Sequence, residues 1–216
     1  MLLPAILGAV ALLILVALPA LLALRPWQLR YPRTALTIWY ASVAAGVLFG
    51  CGALISLTAW PLLGAVGAVG TVGAVVGFVI AAATSRSSPG FRSDLSLSRE
   101  ERIGFTLVRF EDEVPQAYSV PSSPPEIFYS TALRDSLSGA EFTAVIAHEY
   151  AHLSQHHSVA LRIAEVNAAC VPFLPAGRAL KRATRLLIEL AADDAAARQV
   201  GPAHLANALA RLAAHT

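Results

Sequence analysis

Apolar residues are spaced in two different ways along this chain. Residues 2–24, "LLPAILGAVALLILVALPALLAL", carry no charge, and further apolar runs follow at 34–58 and 62–83. About 20 apolar residues cross a bilayer, so the pattern predicts three transmembrane helices. The first run exceeds the apolar core of a signal peptide, and no Lys or Arg precedes it, which favours a genuine span. Trp27, Tyr31 and Trp60 stand near the run ends, where an interfacial aromatic belt belongs. Gly46, Gly50, Gly64, Gly67, Gly70, Gly73 and Gly77 are small residues at spacings that let helix backbones approach in lipid. They predict packing among the three helices and, as a second use, a homo-oligomer.

From residue 84 the pattern turns polar. Ser-rich residues 84–102 read as a linker with one Pro-Gly turn signal. Strand patterns follow at 103–110, 117–120 and 127–131. Ser138 with Glu141 three residues on forms a capping box, and Phe142, Val145, Ile146 and Leu153 keep helical spacing. This helix is expected to end near Ser158 or run on toward Ala169. Another begins after Gly177 and stops at Gly201, and a short one follows from Pro202. The predicted fold class is therefore α+β: three transmembrane helices, then a mainly helical domain at 103–216 with a small β-sheet.

Charge sharpens the division. Residues 1–93 hold five arginines and no acid, whereas the rest of the chain sets 11 basic residues against 14 acidic ones. The arginines lie at 25, 30, 33, 86 and 92. By the positive-inside rule they put the N-terminus outside and everything after residue 84 in the cytoplasm. Two cysteines, Cys51 and Cys170, offer no disulfide framework and no cysteine-based zinc site. There is no phosphate-binding glycine loop, and no nucleic-acid partner is expected.

Four of the six histidines lie in "AHEYAHLSQHH", residues 147–157. Positions i and i+4 share one helix face, so His148 and His152 can point at one ion. Glu149, about 100° round the helix, is placed to reach a metal-bound water as general base. A catalytic zinc needs a third protein ligand. In "LLIELAADDAAA", Leu186, Glu189, Leu190 and Asp193 follow helical spacing, which sets two acids along an apolar stripe. Carboxylates on such a face are costly unless paired or metal-bound. Glu189 is the expected third ligand, and Asp193 the group that fixes a ligand histidine's tautomer. His156 and His204 are weaker candidates for oxyanion or substrate contact.

H-E-x-x-H followed by E-x-x-x-D resembles the gluzincin metallopeptidases. With "AYSVP", "IFYS", "LSGAEFTAVIAHEYAHLSQHH" and "IELAADDAAA", residues 115–210 are similar to the BlaR/MecR-type antirepressor peptidases, with HtpX-type membrane peptidases as near relatives. The resemblance implies a zincin-like catalytic domain, one Zn2+ per chain on His148, His152 and Glu189, and a protein or peptide substrate extended beside "IFYST". It also implies a multi-pass protein of the bacterial cytoplasmic membrane, with the lipid bilayer as a partner. Two features depart from that branch. The sequence carries no large ligand-binding domain of the BlaR sensors, so β-lactam sensing is not expected, and "PSSPPE" replaces a tighter turn before the third strand. The rival expectation is a non-catalytic membrane scaffold that retains the zinc-binding fold.

Overall fold

The computed structural model describes residues 2–14, 27–57, 96–170 and 175–214. They fall into two compact units, residues 1–86 with 161–187 and residues 87–160 with 188–216.

In the first unit, helix α1 (Leu2–Leu12) lies along α3 (Pro32–Leu57), preceded by the short α2 (Trp27–Arg30). At that contact a Cβ on Gly50 would lie 4.0 Å from Ala11 and one on Gly52 3.7 Å from Leu7, both ordinary van der Waals distances. Ala35 and Trp39 of α3 pack with Ala164 of α6 (His157–Cys170) and with Leu180 and Leu187 of α7 (Pro175–Val200).

The expectation of three spanning helices is corrected here. Among the described residues only one helix, Pro32–Ser56, is long and apolar enough to cross a membrane, and 22% of its most apolar window is buried. Of the first run, the described helix Leu2–Leu12 has 11 residues, and residues 15–24 lie outside the described residues. The third run, with its five glycines, lies outside the described residues, as does the linker up to residue 95. A multi-pass topology, the outside N-terminus deduced from it and the cytoplasmic placement of the catalytic domain therefore fall away together.

The second unit holds a four-stranded sheet of β1 (Ser96–Arg102), β2 (Phe105–Phe110), β3 (Ala117–Val120) and β4 (Glu126–Ser130), in the order β1-β2-β4-β3. β1 and β2 are an antiparallel hairpin, β2 and β4 are parallel, and β3 returns antiparallel to β4. Residues 96–102, read from sequence as the end of a linker, form a full strand. "IFYS" is interior, paired on both sides, and the edges of the described sheet are β1 and β3. Alternation explains the two faces of the sheet. Val108, Phe110 and Phe128 cluster with Tyr118 and Val120, whereas Tyr129 stacks edge-on against Phe142 of the helix α5 (Gly139–Ser154).

Ser130 caps the short α4 (Thr131–Ser136) by accepting from the Leu133 N–H. The capping box that opens α5 is present in full: Ser138 accepts from the Glu141 N–H, and Glu141 accepts from the Ser138 N–H. Glu141 is buried and also accepts from Arg211 Nε at 3.1 Å. That bond ties α8 (Pro202–Ala213) to the start of α5. Ala208 of α8 completes an apolar cluster with Leu133, Leu137 and Val145.

Candidate metal centre

Helix α5 supplies two ligands by its own pitch. His148 Nε2 and His152 Nε2 lie 3.1 Å apart, one turn along the same face. Glu189 of α7 brings Oε2 to 3.4 Å from His148 Nε2 and 3.7 Å from His152 Nε2. All three ligand atoms lie within 4.8 Å of one another. The spacing is a test of fit. A tetrahedral zinc with ligands at about 2.0–2.1 Å holds them about 3.3–3.4 Å apart. The observed triangle has those dimensions, and the donor set of two imidazoles and one carboxylate suits zinc.

Glu189 reaches the histidines because the helices behind it come close. Ala144 and Ala147 of α5 pack with Ala196 of α7 and Leu205 of α8, and side chains this small keep the backbones near one another. The stripe expected from sequence is shifted. Leu186 is 52% exposed, while Leu187, Ile188, Ala191 and Ala192 are buried. Glu189 therefore stands at the margin of the buried face, and its side chain is half exposed. The residue was correctly chosen, but burial was the wrong reason.

Charge balance follows from these contacts. Hydrogen bonding to His148 holds the Glu189 carboxyl below its ordinary range against the opposing effect of burial, with help from the nearby histidines. Burial pulls His148 down, yet the Glu189 hydrogen bond and the charges of Glu149, Asp193 and Glu189 together raise it. His152 is lowered, chiefly by burial.

Glu149 points toward the sheet. Ser119 of the edge strand β3, through its hydroxyl and backbone N–H, favours the charged form of the Glu149 carboxylate. Burial raises its carboxyl above the ordinary value, although His148 and Ser119 oppose the rise. Beside it, Tyr150 packs on Phe105 at the start of β2. Gly104 has φ +91°, and a Cβ there would lie 3.1 Å from the Tyr150 hydroxyl. Glycine meets both the turn conformation and the close approach.

Each ligand histidine has a partner on its far nitrogen. Asp193 Oδ1 lies 2.9 Å from His148 Nδ1, a charge contact not aligned as a hydrogen bond. His157 Nδ1 lies 3.0 Å from His152 Nδ1. The second partner was missed from sequence, because α5 was read as continuing. Instead α5 ends at Ser154, His156 takes a left-handed φ of 53°, and α6 starts at His157. His156, expected on the ligand face, is exposed, and so is His204 beside Gly201; neither joins the metal-binding group. A legible signal did exist: His is enriched among non-glycine residues at positive φ, and two stand side by side here.

Comparison with known proteins gives one family: the model described as Peptidase family M48 matches residues 94–211, more than half of the chain. No curated protein and no solved structure matches.

Proposed function

The chain belongs to peptidase family M48, and from that premise we propose a membrane-associated endopeptidase in which Glu149 is the general base. The zinc-dependent peptidase site itself is formed by His148, His152 and Glu189, which would hold a single zinc ion. When bound, zinc supplies Lewis acidity that polarises a peptide carbonyl and acidifies water. Everything else is work for the protein's own residues. Glu149, next to His148 yet aimed at β3, takes a proton from the attacking water and returns it to the leaving amine. Ser119 of β3 favours the charged form of that carboxylate. Asp193 orients the His148 ring through Nδ1.

An extended peptide pairs along the free edge of β3, between the sheet and α5, by strand addition. The interior position of β4 supports that placement over one beside "IFYST". Within the family, the strings "AYSVP" and "IELAADDAAA" support the BlaR/MecR-type branch and, with it, regulated cleavage of a repressor or a membrane protein. A bilayer contact is proposed through the one helix Pro32–Ser56.

The observation that carries this reading is the ligand triangle with a carboxylate beside it. A metal site with a purely structural role has no use for Glu149. Elemental mass spectrometry of the purified full chain is expected to find about one zinc, retained in Glu149→Gln and lost in His148→Ala. Peptide cleavage by Glu149→Gln is expected to fall by about 10²–10⁴-fold. Wild-type turnover in that variant would remove Glu149 from the role of base.

A further inference from the structure

We propose that His157 is the positioning residue for His152: it accepts the His152 Nδ1–H and so fixes the tautomer that presents Nε2 to zinc. The inference rests on the zinc site of His148, His152 and Glu189.

The geometry leaves little freedom. The two Nδ1 atoms are 3.0 Å apart, and one must donate while the other accepts. His152 Nε2 faces the other ligands and needs a bare lone pair to bind metal. A neutral His152 then carries its proton on Nδ1. His157 must therefore offer an unprotonated Nδ1, with its own proton on Nε2. The rings meet edge to face, at 81° with centroids 4.9 Å apart. His157 is 3% exposed, so no bulk water competes for the bond.

Backbone conformation supports the same assignment. On an uninterrupted helix, residues five apart point about 140° from each other. His152 and His157 could not meet there. The left-handed His156 breaks the helix and turns the next residue back toward the ligand. A non-glycine residue in this conformation is strained, and such strain collects at functional sites. The two ligands are thus supported unequally: His148 by a carboxylate on α7, His152 by an imidazole from its own chain segment.

The alternative is a buried histidine that merely fills space, for which an apolar residue would serve as well. Two measurements on the full-length zinc-loaded protein separate these roles. Long-range ¹H–¹⁵N spectra of ¹⁵N-histidine-labelled wild type are expected to show the His152 proton on Nδ1 and the His157 proton on Nε2. A His157 proton on Nδ1 in the loaded protein overturns the proposal, and this test needs no variant. Competition with a chromophoric chelator then gives the zinc affinities. His157→Leu is expected to bind about 10–100-fold more weakly, and His157→Asn, which keeps an acceptor at the δ position, to recover most of that loss. Wild-type affinity in the Leu variant, or an Asn variant as weak as Leu, overturns it. A wild-type protein that binds no zinc removes the metal site together with the relay. Zinc bound with the wrong His157 tautomer removes the relay alone.

Discussion

Helix α5 sets two ligand nitrogens 3.1 Å apart by its pitch, whereas α7 delivers one carboxylate only because the two helices pack closely. The first arrangement is local. His148 and His152 would share a face on any helix that formed, and the capping box sees that it forms. The second is tertiary. Glu189 sits 37 residues beyond His152 in sequence, and its place depends on Ala144, Ala147 and Ala196 staying small. One half of the metal centre is thus robust to changes elsewhere, and the other is exposed to any change in the seam between helices.

The strongest way to break the comparison is to widen that seam. Ala196 is fully buried, so Ala196→Leu overpacks the contact and is expected to cost about 1–3 kcal/mol of stability. It should also weaken zinc binding by moving Glu189 from His148 and His152, while the helix content that carries the two histidines survives. Thermal melts and chelator competition on one preparation check both effects. Zinc affinity unchanged beside a lowered melting temperature would mean that Glu189 reaches the site without the seam.

A smaller effect acts on the local side. Ser138→Ala removes the cap and should destabilise by about 1 kcal/mol. Its partner Glu141 has a carboxyl held below the ordinary value of 4.5, first by the Ser138 hydrogen bonds and then by Arg211. A carboxyl lowered by folding contributes stability that is present above its unfolded value and lost as pH falls through the folded one. Glu141→Gln is therefore expected to be less stable at neutral pH, with the difference from wild type closing below about pH 4.5. Chemical denaturation at pH 7 and at pH 3 tests the sign. A gap that widens in acid would show that Glu141 does not titrate with folding.

What sequence could and could not reveal follows the same line. The capping box, the H-E-x-x-H pair and the stop at Gly201 are local signals, and each was readable from neighbouring residues. Glu189 was readable only as part of a pattern, and the burial argued for it proved displaced by one helical position. The strand at 96–102 was hidden because its solvated side chains, Arg99, Glu100, Glu101 and Arg102, look like linker composition; only pairing with β2 reveals it. The spanning helices failed for a related reason. Hydropathy counts apolar residues but does not say how many continue one helix, and among the described residues just Pro32–Ser56 meets the length. His157 stayed unseen because its approach to His152 depends on a single backbone conformation at His156.

That conformation permits the finest test of where local control ends. The left-handed region costs a residue with a Cβ about 1–2 kcal/mol, and less for His, which is enriched there. Glycine removes this strain but gives the unfolded chain more freedom, an opposing effect of about 0.5–1 kcal/mol. His156→Gly is therefore expected to leave stability within a few tenths of a kcal/mol of wild type, on the favourable side. Its imidazole is exposed and outside the metal-binding group, so zinc affinity should not change. A clear loss of zinc would place the His156 ring at the metal after all. If stability fell instead, the bend at His156 would be held by the side chain rather than by the backbone, and the break between α5 and α6 would belong with the tertiary half of the site.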